Sequence, residues 1–263
     1  MLSALKKFTT KKFILLILPI YLLGGTISLY HNEAVNDEYR NHLPVLKGMY
    51  EQGFFTYIFG DEYETANTPL PYLPAYLVFR IFSVEPNLII PRLINILVSL
   101  LTTLLFLTIL KKISNANDYT ILLFVFYPYF IKTSYVFYIT LYGTFFMLLY
   151  VYFQLRENKL NNLWSGSAVS AGILSQQYLI ALIPVHILDS LNKYFKERNN
   201  FKLNRQILFY IPLIIPLILF LLWGGLTHPG WDFHRPVIDI CHITAVFREV
   251  PVNTSWHHSC LKS

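Results

Sequence analysis

PRLINILVSLLTTLLFLTILKK (residues 91–112) carries charge only at its two ends, with Arg92 at one and Lys111 and Lys112 at the other. The apolar run that contains it, 88–110, matches the roughly 20 residues that carry a helix across a hydrocarbon core. Similar runs recur at 13–30, 119–131, 134–154, 163–190 and 207–226. Of the 263 residues 54% are hydrophobic and 14% charged, and the mean hydropathy is +0.45. A soluble domain carries about 25% charged residues. The chain therefore reads as all-α, a polytopic transmembrane helix bundle: one membrane domain over 1–235, then an atypical polar tail over 236–263.

The net charge of +6 would point to nucleic acid in a soluble protein. Here Lys and Arg cluster at the ends of apolar runs, the distribution that marks cytoplasmic loops, and no nucleic-acid partner is implied. Lys6, Lys7, Lys11 and Lys12 precede the first run, which is long and lacks a small-x-small cleavage site. It reads as a retained span with a cytoplasmic N-terminus.

Two topologies compete, and the basic residues separate them. If every run crosses, YLPAYLVFRIFSV (72–84) included, then Lys111, Lys112, Arg156 and Lys159 all fall outside, against the positive-inside rule. Alternatively, 72–84 lies along the outer interface as an amphipathic helix and 88–110 crosses inward. Then 119–135 returns, 137–154 re-enters, and 163–190 is a broken pair of half-helices turning near Ser175–Tyr178. This arrangement places those four residues inside together with Lys193, Lys196, Arg198, Lys202 and Arg205, and it is preferred. Each half of 163–190 has about 13 residues, short of the roughly 17 needed to cross, so the irregular backbone at the turn needs shelter from protein or a cavity to line.

The first loop, 31–87, is then non-cytoplasmic and contains the interfacial helix. Between His31 and Pro71 it holds seven of the chain's 15 acids, Glu33, Asp37, Glu38, Glu51, Asp61, Glu62 and Glu64, against Arg40 and Lys47. Asp37 and Glu38 follow the first span closely. Low dielectric there raises a carboxylate's pKa toward the range of a general base for a sugar hydroxyl; the competing reading is a solvated loop charge. Arg80 and Arg92 flank RIFSVEPNLIIPR, where guanidinium groups can snorkel to a lipid phosphate or simply anchor the chain. Arg92 lies inside an apolar run, so it requires an anionic ligand or a carboxylate partner. At the predicted break, Ser175, Gln176 and Gln177 offer polar groups either to a ligand or to the open backbone. WGGLTHPGWDFHRP (223–236) is a candidate wall for a sugar or acceptor. His228, His234, His242, His257 and His258 have no ligand spacing with a supporting carboxylate, so a divalent metal is not supported. Cys241 and Cys260 define neither a disulfide framework nor a zinc site. No phosphate-binding loop, dinucleotide fingerprint or nucleophile elbow is present, which favours a donor delivered within the membrane.

In order, NDEYRNHLP (36–44), NTPLPYLPAY (67–76) and the Arg-led span 91–112 resemble the GT-C class of integral-membrane glycosyltransferases, which use polyprenyl-phosphate sugars. YITLYGTFF (138–146), LSQQYLI (174–180) and WGG (223–225) add similarity to the dolichyl-phosphate-glucose-dependent alpha-1,2-glucosyltransferases. The protein O-mannosyltransferase and aminoarabinose-transferase group is more distantly similar. The resemblance spans residues 13–235. It implies inverting transfer of a hexose from a polyprenyl-phosphate donor to a glycan, lipid or protein hydroxyl, on the non-cytoplasmic face of a bacterial cytoplasmic or endoplasmic-reticulum membrane. Asp37 would be the general base with Glu38 beside it. Arg92 would stabilise the phosphate leaving group, with Arg40, His42, Thr68, Gln176, Gln177 and Trp223 as further substrate contacts.

Two departures from the family's pattern accompany the match. Thr140 and Leu141 stand where a second outer acid is often found, and the chain is short for the family, so that a truncated product is one expectation. A non-catalytic scaffold or pseudoenzyme is therefore the alternative, and a lipid or solute transporter, which the broken helix pair would suit, a third.

Overall fold

The computed structural model describes residues 19, 23–25, 27, 38–63, 65, 67–113, 127–156, 160–196 and 203–228. Among these every regular element is a helix, and there is no strand. A π-helical turn, Glu38–His42, leads into α1 (Leu43–Gln52) and a short α2 (Phe54–Ile58). A 3-10 turn at Leu70–Tyr72 opens α3 (Leu73–Phe82), which is followed by α4 (Ile89–Ile113). Then come α5 (Pro128–Tyr135), α6 (Thr140–Gln154) and α7 (Asn161–Ile173). A second 3-10 turn, Gln177–Ala181, precedes α8 (Leu182–Lys196), and α9 (Leu203–Tyr210) joins α10 (Ile214–Trp223) through a third, Ile211–Leu213. The polar tail 236–263 lies outside the described residues.

Two helical stretches are long and apolar enough to cross a bilayer, Ile89–Ile113 with 25 residues and Gln206–Trp223 with 18. At about 1.5 Å per residue α4 is roughly 37 Å long, more than a hydrocarbon core of about 30 Å. Along it Leu93, Leu97, Leu101 and Leu104 are exposed, whereas Arg92, Asn95, Ile96, Ser99, Thr102 and Thr103 are buried. The helix thus turns its small and polar residues inward and leucines outward, the reverse of a soluble surface helix. Ser99, Thr102 and Thr103 donate to carbonyls three or four residues earlier, so their hydroxyls are satisfied within the helix.

Hydrogen bonds sort the helix ends into two poles. Lys112 donates to Leu155 O, placing the ends of α4 and α6 together, and Arg156 lies 4.5 Å over the Tyr152 ring. Asn162, at the start of α7, and Ser190 on α8 both donate to Gln206 on α9. Lys111, Lys112, Arg156 and Lys196 belong to this basic end. At the opposite, acidic end Asn95 reaches the 136–138 turn, Thr68 reaches Ile173 and Trp223 reaches Ile58. Helices α4 and α6 run from the acidic end to the basic one, and α7 runs from the basic end to the acidic one. Of the return run 119–135, only 127–135 is described.

The break expected near Ser175–Tyr178 is present and is sheltered. α7 stops at Ile173 after 13 residues, and Gln176 is extended at φ −151°, ψ 110°. The carbonyls left open there are taken up by the first loop: Thr68 Oγ1 donates to Ile173 O at 3.3 Å and Leu70 N to Leu174 O at 3.1 Å. Further along, Pro212 cannot extend an α-helix, the backbone tightens to 3-10, and Ser170 Oγ donates to the Pro212 carbonyl at 2.8 Å.

Close packing fixes α7 against α9. A Cβ added at Gly166 would meet the carbonyl oxygen of Phe209, a backbone atom that no rotamer change can move. Gly166→Ala is therefore expected to lower the denaturation midpoint of the detergent-solubilised chain, by about 1–3 kcal/mol as overpacking does; an unchanged midpoint would contradict this contact.

Candidate functional site

The acidic end is organised by one carboxylate. Glu38 is fully buried, and its two oxygens receive three donors. Arg92 Nε donates to Oε1 at 3.0 Å and Nη2 to Oε2 at 2.7 Å, and the Phe137 amide donates to Oε1 at 2.6 Å. Arg92 is itself only 5% exposed. A charge buried this deeply is tolerated only when paired and hydrogen-bonded, and the bidentate fork does both. The pair joins the π-turn, the first turn of α4 and the connection between α5 and α6. Asn95, one turn further along α4, donates through Nδ2 to Val136 O at 2.6 Å and fixes the same connection from a second point.

Aromatic side chains pack around this node. His42 Nδ1 pairs with the Tyr72 hydroxyl at 2.8 Å, and both rings meet Phe137 edge-on, with centroids 5.3 and 5.7 Å away. On the far side of the same core, Tyr63, Trp223 and His228 form a triangle with centroid separations of 5.3 to 5.8 Å. Trp223 Nε1 donates to Ile58 O at 3.1 Å and the Tyr63 hydroxyl to Asn67 O at 2.7 Å. Burial pushes the Tyr63 phenol well above its ordinary pKa, with Tyr72 and Tyr57 adding to the effect, so it remains a neutral donor. Burial also holds His228 below the usual histidine range, partly offset by the Asp61 carboxylate, and neutral imidazole is favoured.

The residues expected from the sequence fall into three groups. Glu38, His42 and Arg92 meet around Phe137. Of the two partners expected for Arg92, phosphate or carboxylate, the structure supplies the carboxylate. Thr68 and Trp223 tie the first loop to later segments, and Gln176 and Gln177 tie those later segments to one another. Gln176 packs its Cγ 3.0 Å from where a Cβ on Gly143 would stand, and Gln177 Nε2 donates to Leu226 O at 3.1 Å. Arg40 stands apart, exposed on the π-turn and with no ion pair among the described residues. Asp37 lies outside the described residues, as do His234, His242, His257 and His258. No group of three metal-ligating side chains occurs among the described residues.

Three contributors were missed in the sequence: Asn95, Tyr72 and the Phe137 amide. Asn95 had a usable signal, since an amide inside a membrane-length apolar run needs a partner. The other two have none, because a backbone N–H and one tyrosine among 19 are not distinguishable by type.

Removing one member of a buried ion pair strands the other. Arg92→Met is expected to cost about 3–5 kcal/mol, and the double variant Glu38→Gln with Arg92→Met distinctly less. Chemical denaturation of the four forms measures the coupling, and strict additivity would mean that the pair is not energetically connected. No family model matches this chain, and neither a curated protein nor a solved structure is significantly similar to it.

Proposed function

We propose that the chain is a multi-pass membrane glycosyltransferase that moves a hexose from a polyprenyl-phosphate donor to a hydroxyl acceptor, with inversion. In this reading the basic end faces the cytoplasm, as the clustering of Lys111, Lys112, Arg156 and Lys196 favours, and the acidic end faces the other side. The observation that carries the proposal is convergence. The acid-rich first loop, the 136–140 connection, the sheltered break at 174–177 and the turn after Trp223 all meet at one end of the helices. These are the segments whose motifs resemble the glycosyltransferase class.

The chemistry assigned to this end needs few groups. The acceptor hydroxyl gives its proton to Asp37 as its oxygen bonds to the anomeric carbon. The bond from that carbon to the phosphate oxygen breaks on the opposite face, and polyprenyl phosphate departs with the electron pair. Phosphate leaves without needing an acid, so the protein's task is to orient the hydroxyl and neutralise charge. Glu38, anchored by three donors, fixes the backbone one Cα step, about 3.8 Å, from Asp37. Arg92, occupied by Glu38, supports the site from behind. Arg40 on the same turn is the cation we assign to the leaving phosphate. The closed Glu38–Arg92 pair equally suits a non-catalytic relative, which is the second reading.

Incubation of the purified chain with a panel of radiolabelled polyprenyl-phosphate hexoses separates them. The expected result is donor consumption that falls by about 10²-fold or more in Asp37→Asn, the range for loss of a general base. Absence of consumption by a folded chain would favour the scaffold reading, and consumption unaffected by Asp37→Asn would remove the assigned base.

A further inference from the structure

The face of α3 that turns away from the core combines one cation with large apolar side chains. Leu77, Arg80 and Ile81 recur at three- and four-residue spacing and share that face, and Phe82 follows at the helix end; Ile81 is 72% and Phe82 70% exposed. Ala75 and Phe79 are buried on the opposite face. Arg80 makes no ion pair among the described residues. Instead its guanidinium lies 5.4 Å from the centroid of Tyr50 and 5.9 Å from that of Tyr76, and its Nε donates to the Tyr76 hydroxyl at 3.4 Å. Ring faces within about 6 Å hold a cation without neutralising it. Its charge therefore remains available, oriented by two tyrosines from separate helices.

From this face the chain leads into the exposed stripe of α4. After α3 the chain reverses at Ser83, which adopts a left-handed conformation at φ 52°, and enters α4 at Ile89, itself 50% exposed. From Ile89 the exposed leucines of α4 run on as one stripe toward the basic end. The chain order thus puts the exposed end of α3 immediately before the start of the α4 stripe, at the acidic end. Apolar side chains beside an aromatic-held arginine match the boundary between acyl chains and headgroup phosphates.

From these contacts we infer that α3 lies in the outer headgroup layer, with Ile81 and Phe82 in the acyl region and Arg80 binding the phosphate of an anionic lipid. The inference rests on the membrane reading proposed above and adds a lipid site built from residues to which that reading assigns no chemistry.

Tryptophan reporters in the full chain test it in vesicles of phosphatidylcholine with a minority of phosphatidylglycerol, using the unsubstituted chain as background. Phe82→Trp should be quenched when the acyl chains are brominated. With bromine on phosphatidylglycerol alone, quenching should exceed that from an equal fraction of brominated phosphatidylcholine. An enrichment of about fivefold is expected, corresponding to about 1 kcal/mol for one basic residue at an anionic surface. Adding Arg80→Ala should abolish the excess and Arg80→Lys should retain part of it. Leu97→Trp on the α4 stripe is the companion reporter. If Leu97→Trp is quenched and Phe82→Trp is not, or if the excess survives Arg80→Ala, the inference is overturned while the membrane reading stands. If Leu97→Trp is not quenched, both fall. Quenching of Leu97→Trp in the Arg80→Ala background shows that loss of the excess is not loss of the fold.

Discussion

A carboxylate with no access to water must find its solvation within the protein, and Glu38 finds it from three segments at once. The guanidinium of Arg92 provides two of its hydrogen bonds and the amide of Phe137 the third. Because the cost of burying either ion alone is several kcal/mol, the three segments cannot separate individually without exposing or stranding a charge. The π-turn, the start of α4 and the 136–138 connection therefore behave as one unit. His42 and Tyr72 pack on the same phenylalanine, so the first loop is tied to this unit through the 3-10 turn that opens α3 as well.

The acidic end is built differently from the length of α4. Over residues 93–104 of α4, hydroxyls bond to their own helix and leucines face outward. At the acidic end, side chains of one segment satisfy open backbone carbonyls of another, as Thr68 does for Ile173, Asn95 for Val136 and Trp223 for Ile58. Irregular backbone held in this way can be shaped for a ligand without being left unsatisfied in an apolar setting. The proposed transferase chemistry makes use of that property, since orientation of a hydroxyl depends on backbone that does not yield.

Much of this was legible in the sequence, for identifiable reasons. The length of α4 and its terminal charges, the break after Ile173 and the pole to which Lys111 and Arg156 belong all follow from local pattern and charge placement. Arg92 could be recognised as needing an anion because its neighbours are apolar. What sequence could not choose was which anion, since Glu38 lies 54 residues away and is one of seven acids in the same loop. Nor could it reveal that Gln177 would bond to the Leu226 carbonyl or that Gly166 would admit the backbone of Phe209. Those facts depend on how helices approach one another, and no local periodicity records it.

The sheltered break also imposes an order on the life of the chain. The contacts that complete the acidic end join residues 54, 99, 105 and 165 positions apart, whereas ties at the basic end span 16 to 44. A polypeptide made from its N-terminus can close the short ties soon after each helix emerges. Thr68 must wait for Ile173 and Ile58 for Trp223, with 105 and 165 residues respectively separating the partners. The first loop is thus among the earliest parts to be translated and among the last to acquire its final shape: the Glu38 node can close once Phe137 is made, but the seam that Trp223 forms with Ile58 waits for the last described helix.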